Sequence, residues 1–61
     1  MPTEHQMNWA IRQLQQKAAE QGRLPRKADF DEADRARIKA FLGPWPRALE
    51  AAGLKPPKIK H

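Results

Sequence analysis

Four acids crowd one short stretch of this chain: Asp29, Asp31, Glu32 and Asp34. Carboxylates this close together are what a Mg²⁺ ion would need, and a metal held that way can activate water. The same spacing suits the solvated start of a helix, where acids complement the positive end of the helix dipole. The second reading is preferred, because nothing else in the chain completes a hydrolytic set. A histidine-based, metal-dependent nuclease needs closely placed histidines and an Asn. Here His5 and His61 lie near opposite ends, and Asn8 is the only Asn. Ser and Cys are absent, so neither can serve as a nucleophile, and the lone Thr3 is better read as a helix cap. No Gly-rich phosphate loop occurs. The expectation is a protein that is not an enzyme, with no metal site and no cofactor.

The chemistry that remains is binding through charge. Twelve Lys and Arg stand against seven Asp and Glu, a net charge of +5 on 61 residues. Such an excess favours anionic partners: nucleic acid, an acidic protein surface or anionic lipid. It is also what a merely soluble surface carries. Arg35 and Lys39 share one helical face, with Ala36 and Ala40 beside them and Arg37 farther round. Small residues between long cations let a helix approach a groove closely, while the cations reach phosphates or guanine edges. Arg23, Arg26 and Lys27 flank the turn before that helix and are placed to contact backbone phosphate. Lys55, Lys58 and Lys60 form a basic, Pro-rich tail that could follow a phosphate backbone or lie in a minor groove. An ordinary solvated face, with Glu32 pairing to Arg35, accounts for the helical cations equally well, and a solubilising role accounts for the tail. A membrane surface fits poorly, since an interfacial helix sets its basic face opposite large apolar residues. No small-molecule substrate is indicated.

Sixty-one residues make one domain with a small core and little stability to spare. Without Cys there are no disulfides and no thiolate metal sites. The first residues lack a basic segment followed by an apolar one, and no run is long enough to span a bilayer. A cytoplasmic protein is expected.

The elements that must position these cations can be read from punctuation. Thr3 and Gln6 form a capping-box pattern, and the spacing predicts a helix over 4–21, closed by Gly22. Its apolar stripe is Met7, Ala10, Ile11, Leu14 and Ala18. Trp9 falls on the polar side, either exposed for stacking or packed beneath Lys55-Pro56-Pro57. Arg23-Leu24-Pro25 is a turn, with Pro25 suited to a first helical position. Leu24 and Phe30 are expected to point inward. Asp29 or Asp31 can cap the next helix, over 32–42, whose buried residues are Ile38, Phe41 and Leu42. Gly43 ends it. Pro44-Trp45-Pro46 opens a last helix to about Ala52, with Trp45, Ala48, Leu49 and Ala52 inward. Gly53 closes that helix, and Leu54 folds back as the apolar partner of the cap. Trp45 and Phe41 are expected at the centre of the core.

The punctuation resembles a known pattern. Gly22-Arg23-x-Pro25, Asp29-Phe30-Asp31, Gly43-x-Trp45 and Ala48-Leu49-x-Ala51-Ala52-Gly53-Leu54 are similar to the homing-endonuclease-associated (HNH-associated) repeat, over roughly residues 7–54. In place of the small hydroxyl or amide residues usual beside the Trp, this chain has Pro44 and Pro46. The resemblance implies a small helix-turn-helix-like module, duplex DNA binding, and a reading role for the helix before Gly43. It also implies a phage or bacterial setting. The expectation is thus an all-α domain of three to four helices with a helix-turn-helix-like core over 1–54, and a basic flexible tail over 55–61. Its leading function is non-catalytic binding of duplex DNA. Two alternatives stay open: a protein-interaction module that docks on a larger nucleic-acid enzyme, and RNA or ribosome binding, since counterion release does not separate DNA from RNA.

Overall fold

A computed structural model describes residues 1–56. It contains α1 (Glu4–Gln21), a short 3-10 turn (Lys27–Asp29), α2 (Glu32–Leu42) and α3 (Trp45–Ala51), and no strand among the described residues. The fold is a small all-α domain. Lys58 and Lys60 lie outside the described residues, as does most of the expected tail.

The helix ends follow from local chemistry. Thr3 Oγ1 accepts the Gln6 N–H at 3.1 Å, and Gln6 Oε1 accepts the Thr3 N–H at 2.9 Å. Two otherwise orphaned donors are satisfied at once. Pro44 precedes α3 and Pro46 lies in its first turn, where a missing N–H breaks no helical bond. At the other end, the Leu54 N–H donates to the Leu49 carbonyl and the Gly53 N–H to that of Glu50, both at 3.0 Å. Gly53 has φ of 74°, the left-handed conformation this closure requires. Leu54 packs back on the core as expected. The start of α2 differs from expectation. Asp31 stands at its N-cap without a side-chain bond to the helix, and Asp29 turns back to the preceding loop.

Three helices meet at Ala10 and Leu14 of α1, Ile38 of α2, and Ala48, Leu49 and Ala52 of the α3 segment, all buried. Alanine at half of these positions lets the helix backbones approach. Trp9, Ile11, Phe30, Phe41, Leu42, Trp45 and Leu54 pack around this centre as a half-buried rim. The expectation of Trp45 and Phe41 at the centre is therefore corrected: Leu14 and Ile38 occupy it.

Helix α1 packs on both α2 and α3, so its covered arc is wider than one stripe. On one flank Trp9 meets Phe41 edge to face, ring centroids 6.1 Å apart. On the other, Gln15 Nε2 donates to the Ala52 carbonyl at 2.9 Å. Trp9 is thus neither on a free polar side nor an open stacking residue. Met7, expected in the buried stripe, is exposed. It precedes by a turn the first fully buried position.

The turn after α1 also reverses an expectation. Leu24 is 46% exposed, whereas Pro25 is fully buried. The reason is polar. Trp45 Nε1 donates to the Pro25 carbonyl at 3.2 Å, which draws the proline inward and leaves its neighbour outside. Pro25 does not open a helix; the 3-10 turn begins two residues later, at Lys27.

Candidate nucleic-acid interface

The basic residues of the turn have unlike roles. Arg23 lays its two guanidinium nitrogens on the two carboxylate oxygens of Asp29, at 3.2 and 3.3 Å. It also donates to the Leu24 carbonyl at 3.2 Å. Asp29 Oδ2 accepts the Arg26 N–H at 2.7 Å. These bonds favour the charged carboxylate, the Arg26 N–H most and the Arg23 guanidinium next, and lower the Asp29 pKa from 3.8 to about 2. The set forms a clip that holds the 3-10 turn. Arg26 contributes its backbone to that clip while its side chain is exposed. Beside it, Lys17 lies 5.5 Å over the Phe30 ring and 3.8 Å from Glu20.

On the other side of the turn, Lys27 joins Glu32, Arg35, Ala36 and Lys39 of α2 and Trp45 of α3 around an open groove of about 380 Å³. Residues 32, 35, 36 and 39 follow one another at the spacing of a single helical face. Lys27 is brought to that face because the clip fixes the turn that carries it. Trp45 forms another wall, its ring edge to face with Phe30 at 5.6 Å and its N–H held by Pro25.

Among the described residues, no ion pair engages Lys27, Arg35, Lys39 or Glu32. The Glu32–Arg35 pairing that the solvated-face alternative allowed is not formed among them. Three cations converge on one hollow, and none of them is in an ion pair among the described residues.

The remaining candidates sit elsewhere. Arg37 lies off the groove and makes only a loose 3.9 Å contact with Asp34, its own side chain exposed and that of Asp34 partly so. Lys55 is half-buried close to the end of the described residues. Arg47, exposed in the first turn of α3, is a further cation that sequence reasoning did not single out. Neither did it place Glu32 and Trp45 at the groove. The i, i+3, i+4, i+7 series from Glu32 to Lys39 was the available signal for the first of these. The four acids are dispersed among different tasks, and no three His, Asp or Glu gather as metal ligands among the described residues. No helix there is long and apolar enough to cross a membrane.

Comparison with curated proteins and with solved structures finds no match. A family model does match, and it covers residues 6–55, from the first turn of α1 through the Gly53–Leu54 cap. The matched segment holds α2, α3, all but the first two residues of α1, the clip and every residue lining the groove. By that match the chain belongs to the homing endonuclease associated repeat family.

Proposed function

We propose that this protein is a non-catalytic module that binds duplex DNA, an accessory or regulatory protein of a phage or bacterium. In this reading α2, the short turn and α3 act as a helix-turn-helix-like unit. Arg35 and Lys39 of α2 and Lys27 of the turn supply the central contacts. Arg26 and Arg37 reach flanking phosphates, and the tail cations Lys55, Lys58 and Lys60 follow the backbone. Arg23 acts by holding the turn.

One observation carries the reading: Lys27, Arg35 and Lys39 face a common groove with no ion pair among the described residues. Unpaired cations are ready to displace counterions from phosphate, the main source of affinity for nucleic acid. Membership in a family associated with homing endonucleases, which act on DNA, points the same way.

The test is a titration against duplex DNA and duplex RNA at two salt concentrations. If about four to six of these cations neutralise a phosphate, the log–log salt slope is roughly −4 to −5. Tighter binding to RNA would move the function to that polymer. Absence of salt-dependent binding to either would leave the protein-docking alternative.

A further inference from the structure

A duplex is read by something that projects into its grooves, such as a helix entering the major groove. Here cations without an ion pair among the described residues line a hollow. Lys27, Glu32, Arg35, Ala36, Lys39 and Trp45 surround about 380 Å³, within the roughly 300–1,000 Å³ typical of small-ligand sites. A hollow of that size accepts a group that protrudes from the nucleic acid.

We propose that the groove is a slot for one unpaired nucleotide protruding from duplex DNA. The proposal rests on the duplex-DNA reading above and adds the feature of the DNA that the groove selects. The nucleotide's phosphate meets Lys27, Arg35 and Lys39, and its base lies against the open side of Trp45. Aromatic surface interleaved with cations is the composition of sites that hold unpaired bases.

The ring is already held in place. Its N–H is bonded to the Pro25 carbonyl at 3.2 Å, and its edge-to-face contact with Phe30 fixes its tilt at 66°. Little ordering remains for a base to impose. Ala36 leaves the wall of α2 low between Arg35 and Lys39. Glu32, without an ion pair among the described residues, presents a carboxylate that accepts base N–H groups. An acid would only weaken a site built for phosphate alone, and its place in the lining fits a ligand that carries donors as well.

The test compares three DNAs: a short duplex, the same duplex with one bulged nucleotide, and that bulge made abasic. The bulged duplex should bind about tenfold tighter than the paired one, from base–aromatic stacking. The abasic bulge should bind like the paired duplex. Ala36→Leu fills the slot, leaves the charge unchanged and keeps good helix propensity. It should abolish the preference for the bulge, read as the ratio of bulged to paired affinity measured on the same variant. In a Trp9→Phe background, Trp45 fluorescence should be quenched by the bulged duplex alone. Equal binding of bulged and abasic duplexes, or a bulge preference that survives Ala36→Leu, overturns the slot. If the parent binds paired DNA with a steep salt slope but shows no bulge preference, the slot fails and duplex binding stands. If it binds none of the three DNAs, both readings fail.

Discussion

Arg23 and Lys27 lie four residues apart in one turn, carry the same charge, and behave as opposites. Arg23 is held on Asp29 by two bonds, at 3.2 and 3.3 Å. Lys27 faces the groove with no acid in contact among the described residues. The difference arises from the backbone. Asp29 is first oriented by the Arg26 N–H, and an oriented carboxylate matches the planar guanidinium fork. The clip thus pairs one exposed cation with an acid and presents another to the groove. Net charge counts both alike; only the geometry says which is available to a partner.

The largest effect should come where the two regions join, at Trp45. Its ring walls the groove, and its N–H holds the buried Pro25 of the clipped turn. Trp45→Ala removes the contact with Phe30 and leaves the Pro25 carbonyl without its partner. The ring is half-buried, so the cost falls at the low end of Trp truncations, about 3 kcal/mol. That is a large share of the stability of so small a domain. Thermal melts check it. A variant that melts with the parent would mean that clip and groove are independent, and the comparison would break at its centre.

Next is the groove. Replacing Arg35 and Lys39 together by Ala should leave the helix intact, since Ala favours it and neither residue belongs to the buried core. Duplex DNA binding should fall at least tenfold, about 1.4 kcal/mol. Circular dichroism and a binding titration separate the two readouts. A folded double variant that binds as well as the parent would show that unpaired charge at the groove does not mark the interface.

The clip makes a prediction about acid. Asp29 is depressed from 3.8 to about 2. A carboxylate with a lowered folded-state pKa stabilises the fold above its unfolded value, and that contribution is lost as pH falls through the folded one. The window therefore runs from about pH 4 down to about pH 2. Asp29→Asn should melt below the parent at neutral pH and converge with it in strong acid. DNA binding sharpens the point, because removing an acid favours phosphate by charge alone. Weaker binding by Asp29→Asn at neutral pH would show that the clip positions Lys27. Equal melting of variant and parent at all pH values would show that the Arg23–Asp29 contact contributes nothing to the fold.

Much of the fold was legible because its signals are local. Thr3 and Gln6, Pro44 and Pro46, and Gly53 with Leu54 each state their task within a few residues. The larger errors concern contacts between distant segments. Pro25 is buried and Leu24 exposed because of a bond to Trp45, twenty residues away. Trp9 faces Phe41 because α1 is covered by two helices, which a single apolar stripe does not reveal. Arg35 and Lys39 were legible as sharing one helical face, and they do line one groove. The division of the cations into paired and unpaired was not, since it depends on where one turn folds back.

The smallest predicted effect tests that division most finely. Arg37 belongs to the same helix as Arg35, but two residues farther on it points about 200° round the axis. Its 3.9 Å contact with Asp34 joins side chains that are 62% and 37% exposed. Pairs of this kind contribute about 0–1 kcal/mol, and the better helix propensity of Ala offsets part of that. Arg37→Ala should therefore change stability by no more than about 0.5 kcal/mol. If the groove is the contact surface, binding should weaken only about as much as loss of one flanking phosphate contact requires, and the log–log salt slope should become shallower by about one at most. Arg35→Ala, measured alongside, should weaken binding more. Equal losses would mean that α2 meets DNA broadly around its axis. A larger loss for Arg37→Ala would place the interface on the far side of α2, and the free cations of the groove would then need another partner.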